Sequence, residues 1–156
     1  MSRNEQMQNI WKRYEEEGMS IPATARDVAE WALKKSLWRP HPVDVVAQCA
    51  DELSRALREE YRTDRFGRRY RAKHAVKVRV NGVQLVLWAD SNTAPRSHME
   101  RAFGQRRSQI VDDCHQLKVD VDCYNDSHTS DNPIQLVLDF TMDILEMEAA
   151  EGRNLL

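Results

Sequence analysis

Eight of the eighteen residues at positions 62–79 are Lys or Arg: Arg62, Arg65, Arg68, Arg69, Arg71, Lys73, Lys77 and Arg79. Asp64 is the only acid among them, so the segment carries about +7 within a chain whose net charge is −2. Lys and Arg at this density neutralise phosphates and release counterions, whatever the base sequence. The chemistry is that of anion binding, with nucleic acid as the first candidate and DNA ahead of RNA. Two other readings stand beside it. The cations pair with the chain's own acids, or they dock an acidic protein surface. Seven of them are the candidate contacts: Arg65, Arg68, Arg69, Arg71, Lys73, Lys77 and Arg79.

A second concentration of chemistry is acidic. From Asp112 to Glu151 there are eleven Asp or Glu against one Lys118. As a calcium loop, residues 120–126 fail, because Tyr124 takes the fifth position and Asn125 the position a glycine needs. As a zinc site they lack paired Cys or His spacing. Asp112, Asp113, Asp120 and Asp122 supply carboxylates for a two-metal nuclease but show no motif order. The expectation is no metal and no cofactor, with a solvated acidic flank or one that holds a basic partner. The five histidines are scattered. No nucleophile sits in a recognisable turn and no glycine-rich loop is present, so no catalytic residue is assigned and the chain is read as a non-enzyme.

The elements that position these groups follow from period and caps. A first helix over about residues 3–17 lines up Met7, Ile10, Trp11 and Tyr14, and a second over about 24–36 lines up Ala25, Val28, Trp31 and Ala32. Residues 38–42 read as a turn, because two prolines bar a helix. A third helix, about 43–61, places Val46, Cys49, Ala50, Leu53, Leu57 and Tyr61 at steps of three and four. From Tyr70 the period becomes two, and Asn81-Gly82 between β-prone runs predicts a type I′ hairpin. That loop sets Val80 opposite Val83, Val78 opposite Leu85, Val76 opposite Leu87 and His74 opposite Ala89. This face is apolar and is expected to lie on the helices. Lys73, Lys77 and Arg79 share the other face with Gln84, Val86 and Trp88.

Residues 97 to about 124 read as a long helix with Phe103, Ile110, Leu117 and Tyr124 seven apart, a narrow coiled-coil-like stripe. Its arginines (Arg101, Arg106, Arg107) lie near the N-terminus and its aspartates near the C-terminus, against the helix dipole. An antiparallel copy would match the two ends, so homodimerisation through this stripe is expected. A last helix is expected from Ile134 to Ala150. Cap signals stand at Ser2, Thr24, Ser97 and Asn132. The fold class is therefore mainly α with one β-hairpin (α+β).

Three short helices followed by a hairpin resemble, in element order, the winged helix-turn-helix superfamily over residues 3–90. ATARDVAEWALKK, a turn, and VDVVAQCADELSRAL look like its helix-turn-helix core, with residues 19–22 where its minor strand would run. The resemblance implies a winged-helix-like domain at 1–90, a helical extension at 91–156, duplex DNA binding and a regulatory or accessory role such as transcription regulation. The third helix departs from that family. Asp44, Asp51, Glu52, Glu59 and Glu60 against Arg55 and Arg58 give it about −3. A helix so charged repels phosphates, so the hairpin is expected to grip the backbone instead.

No apolar run approaches the roughly 20 residues that span a bilayer. The polar start MSRNEQMQN is not a secretory signal, and three unpatterned cysteines fit reduced thiols. A cytoplasmic location without a membrane partner is expected.

Overall fold

The computed structural model describes residues 1–40 and 44–152. The described residues are α+β, with five helices and two separate two-stranded antiparallel sheets among them. Two compact units divide the chain at Glu52 and Leu53.

The first unit is built on α1 (Arg3–Glu16) and α2 (Ala25–Lys34). Ser2 and Glu5 form the expected capping box on α1, and Thr24 accepts from the Asp27 N–H at the start of α2. Gly18 follows α1 with φ of 73°, a left-handed conformation that glycine adopts freely. The predicted stripes meet: Ile10 and Tyr14 pack with Val28, Trp31 and Ala32, flanked by Ala23, Leu37 and Trp38. Tyr14 presents its ring edge to Trp31 at 5.4 Å and donates its hydroxyl to the Ser20 carbonyl. Met7 and Trp11 remain about 40% exposed at the edge of the stripe. Residues 19–22 form no strand. Positions 41–43, which hold the end of the expected proline turn and the expected start of the third helix, lie outside the described residues.

Helix α3 (Val45–Arg58) spans the division between the units. Asp44 caps it, accepting from the N–H groups of Val46 and Ala47. It is shorter than expected and contributes no buried residue, so its apolar stripe is not a core face. Tyr61 is not helical at all. It opens β1 (Tyr61–Thr63), which pairs with β2 (Arg69–Arg71). The sequence reading of one hairpin is thus corrected to two. Asp64 makes the extra turn, accepting from the N–H groups of Phe66 and Arg68, and Gly67 supplies a positive φ.

The second hairpin has the predicted register. β3 (Lys73–Val80) pairs with β4 (Val83–Asp90), Val80 facing Val83 and His74 facing Ala89, around Asn81 and Gly82 at φ of 50° and 78°. α4 (Arg96–Ser127) packs on β3. The side chain of Gln105 both accepts from the Lys77 N–H and donates to the Lys77 carbonyl, so α4 clasps the outer edge of β3. His98 reaches the His74 carbonyl at 2.9 Å, and the His74 ring meets Phe103 edge-on. Val76 is buried in consequence, but Val80, Val83, Leu85 and Leu87 are exposed. The expectation that the whole apolar face lies on helices is corrected, because α4 grips one strand and leaves β4 uncovered. The hairpin shares a compact unit with α4.

Two cap signals do not act as expected. α4 begins at Arg96 after Pro95, with Ser97 inside its first turn. No helix starts at Asn132; residues 134–140 form neither helix nor strand, and α5 (Thr141–Ala150) is only the last part of the expected helix.

Candidate nucleic-acid interface

The basic face of the second hairpin and the first half of α4 enclose a cleft of about 750 Å3. Lys73, Ala75 and Lys77 of β3 line one side with Val86 and Trp88 of β4, following the pairing of Ala75 with Trp88 and Lys77 with Val86. Arg101, Gly104, Gln105, Arg106 and Ser108 of α4 line the other. Arg58 and Arg71 complete the rim, and Arg58 lies over the Trp88 ring at 5.6 Å. Six cations thus face one acid, Asp112.

These cations are not equivalent. Lys73 holds Glu60 at 2.6 Å and Asp90 at 3.1 Å, and Glu60, then Asp90, raise its pKa. Arg62 engages both oxygens of Asp90. With the Asn92 N–H and Lys73, it holds that carboxyl well below the usual carboxylate range. Arg68 pairs with Asp64 at 2.7 Å. Arg62, Arg68 and Lys73 are thus engaged in internal ion pairs, which leaves the last two less available than the other candidate contacts. Arg65 and Arg68 both lie against the Phe66 ring, and Arg69 lies 4.0 Å over Tyr61, which puts them on the first hairpin outside the cleft lining. Arg71, Lys77, Arg79, Arg101 and Arg106 have no ion-pair partner among the described residues. All but Arg79 line the cleft.

Sequence reasoning overlooked Arg58, Arg101 and Arg106 as members of this site. Their signal was present in α4, where arginines stand at the end that the dipole makes positive. That arrangement costs local helix stability and concentrates positive potential where the hairpin is also basic.

His74 sits beneath the rim with a ring nitrogen 2.8 Å from the Arg71 carbonyl. Partial burial, then the nearby charges of Arg106 and Arg71, push its pKa below the ordinary histidine value. The unfolded chain therefore binds this proton more readily than the folded one. Stability from this group is full above about pH 6.5 and declines as pH falls below it. An anion placed in the cleft offsets the repulsion from Arg106 and Arg71. In an NMR titration the His74 pKa is expected below 6.5 in the free protein and higher with a short oligonucleotide bound.

Gly104 provides a second check. It is helical, and a Cβ added there meets no atom within 4 Å. Gly104→Ala is expected to stabilise the fold by about 0.5–1 kcal/mol. Gly104→Glu places a carboxylate in the cleft and should weaken polyanion binding while leaving the melting temperature unchanged or raised. Thermal melts and a binding isotherm on the same preparations read both effects.

Among the described residues, no group of three or more His, Cys, Asp or Glu is placed to hold a metal ion. Asp112, Asp113, Asp120 and Asp122 are spread along one helix, and three of them bind their own i−4 neighbours Gln109, Gln116 and Lys118. The three cysteines are free thiols. No described helix is long and apolar enough to cross a membrane. The candidate oligomerisation stripe is exposed, with Phe103, Ile110, Leu117 and Tyr124 each close to half accessible.

Comparison with family models, with curated proteins and with solved structures finds no match to this chain.

Proposed function

We propose that this chain is a non-enzymatic nucleic-acid-binding protein that grips a phosphate backbone in the cleft between the second hairpin and α4. Its role is regulatory or accessory, in the cytoplasm, and its preferred ligand is duplex DNA. The observation that carries the reading is the convergence of Arg71, Lys77, Arg101 and Arg106 on one cleft without a carboxylate partner for any of them. Unpaired cations held together at close range repel one another, and a polyanion relieves that repulsion while releasing its own counterions. The expected binding is largely independent of base sequence, because backbone contacts position a protein without reading bases. The proposal does not depend on a base-reading helix: the charges of α3 (Asp51, Glu52, Arg55, Arg58) sum to zero, and the acids Asp44, Glu59 and Glu60 flank it.

A binding isotherm on duplex DNA, single-stranded DNA and RNA across a salt series tests this. Affinity should fall steeply and log-linearly with salt. Absence of binding to all three at about 50 mM salt ends the proposal.

The exposed acids that follow Asp112 favour a second reading, in which the cleft takes the acidic surface of another protein or of another copy. Nine further acids lie between residues 120 and 151. Here the chain would show salt-sensitive self-association or protein capture with no nucleic-acid affinity, which the same salt series separates when mass is measured alongside binding.

A further inference from the structure

Residues 134–140 read Ile-Gln-Leu-Val-Leu-Asp-Phe, with Ile134, Leu136, Leu138 and Phe140 alternating against Gln135, Val137 and Asp139. Apart from Val137 the segment alternates apolar with polar, the pattern of a half-buried β-strand. The segment is neither helix nor strand in the structure and belongs to no sheet among the described residues. From Gln135 to Phe140 no backbone N–H has a hydrogen-bond acceptor among the described residues. Ile134 and Val137 are more than half exposed, and α5 beyond them buries none of its residues. A row of unpaired donors beside an apolar stripe is a template for another strand.

The same unit carries a matching edge. Among the described residues β4 is paired only with β3, in a sheet of two strands. The outer edge of β3 is clasped by Gln105, but that of β4 is open, and Val83, Leu85, Val86 and Leu87 are all exposed along it. Within one chain the two do not meet. Asn125 holds Ile134 by both its N–H and its carbonyl, which starts the segment beside the C-terminal part of α4. Twenty residues separate Asn125 from Gln105, or about 30 Å along a helix.

We infer that residues 134–140 of one copy add as a third strand to the free edge of β4 in a second copy. An antiparallel pairing of two α4 helices brings the ends together. It sets Phe103 opposite Tyr124 and Ile110 opposite Leu117, and it lays the arginine end of each helix against the aspartate end of the other. The hairpin end of one copy then lies beside the strand-bearing end of its partner. The exposed surface supports a second copy as the occupant. The chain exposes 13297 Å2. A compact protein of this mass exposes about 8,100 Å2, and two separate compact units of these lengths would together expose about 9,700 Å2. The surplus of roughly 3,600 Å2 per chain is ample for an obligate interface, which removes about 2,000–5,000 Å2 over both partners. A lone two-stranded hairpin is marginal, and a third strand stabilises it.

Light scattering on the full chain should give twice the 18.2 kDa chain mass. In hydrogen exchange the amides of residues 135–140 should be protected in alternation in the dimer, together with the outward amides of β4. Leu136→Pro and Val137→Pro remove adjacent N–H groups that point to opposite sides of a strand, so one of the two lies in the new ladder. That variant should weaken self-association roughly 100-fold or more, with helix content retained by circular dichroism. A monomer at about 100 µM, or a dimer that neither proline weakens, overturns the inference. So does free exchange of residues 135–140 in the wild-type dimer, which decides the matter even where a proline variant fails to fold. Arg101 and Arg106 belong both to the cleft and to the arginine end of α4, but self-association and nucleic-acid binding are measured separately, and either can fail without the other.

Discussion

Replacing Arg71, Lys77, Arg101 and Arg106 together by Ala should lower affinity for duplex DNA by about 10³-fold near 100 mM salt. The slope of log affinity against log salt should flatten by about 3–4, because each phosphate contact contributes about 0.9 to it. The matched control is Arg65, Arg68 and Arg69 to Ala. These three sit on the first hairpin, two of them against Phe66 and one over Tyr61, and Arg68 is already spent on Asp64. The control should change the slope by less than about 1 in total and leave most of the affinity. The two sets carry similar formal charge, so net charge alone predicts similar losses for both. A cleft predicts an unequal one. Equal losses from the two sets would show diffuse attraction by the whole basic segment, and the cleft would then have no special standing. The four positions are exposed or partly exposed, and none makes an ion pair among the described residues, so the quadruple variant should melt close to the wild type.

The site was half legible in the sequence. Asn81-Gly82 fixed the hairpin register, and from that register alone Lys77 and Arg79 fall on one face with Val86 and Trp88. Local turn chemistry is read from two residues and needs nothing distant. The second wall of the cleft was not legible, because it depends on which part of α4 meets β3. A single glutamine, Gln105, settles that by clasping the Lys77 backbone. A glutamine among many polar residues on a long helix carries no signal of its own. The arginines beside it did carry one, since their position opposes the dipole, but the sequence offered a dimer as the explanation and concealed the hairpin as another.

The errors along the chain have a common physical source. Tyr61 fits a step of four from Leu57 and so extended the third helix on paper. In the structure the aromatic opens β1 instead, where Arg69 stacks on its ring. Residues 134–140 were read as helix from the cap signal at Asn132 and from bulk apolarity. Their apolar period is close to two, broken at Val137, and the structure leaves them without helix. In both cases a cap or spacing signal outweighed the change of period beside it. By contrast, the α1 and α2 stripes and the Ser2 capping box held, because i,i+3 and i,i+4 contacts with a reciprocal cap are local and mutually consistent.

Trp31→Ala should be the most destabilising single substitution in the first unit. The side chain is 8% exposed and meets Tyr14 edge-on, in a cluster of five buried residues that joins α1 to α2. Truncating a buried Trp forfeits its transfer energy and leaves a cavity that two short helices cannot fill, a loss of about 3–5 kcal/mol. A unit of 52 residues has little stability to spare, since small domains bury a smaller share of their surface. The expected result is therefore loss of the α1–α2 helical signal at 25 °C rather than a modest shift in melting temperature. Tyr14→Phe is the graded comparison: it keeps the ring contact, removes the hydroxyl that donates to the Ser20 carbonyl, and should cost about 1 kcal/mol. Every residue that lines the cleft lies in the second unit. Trp31→Ala should consequently leave oligonucleotide affinity within about a factor of three of the wild type. If binding is lost along with the first unit's helices, the cleft is not a self-sufficient site and the first unit takes a direct part in holding the ligand.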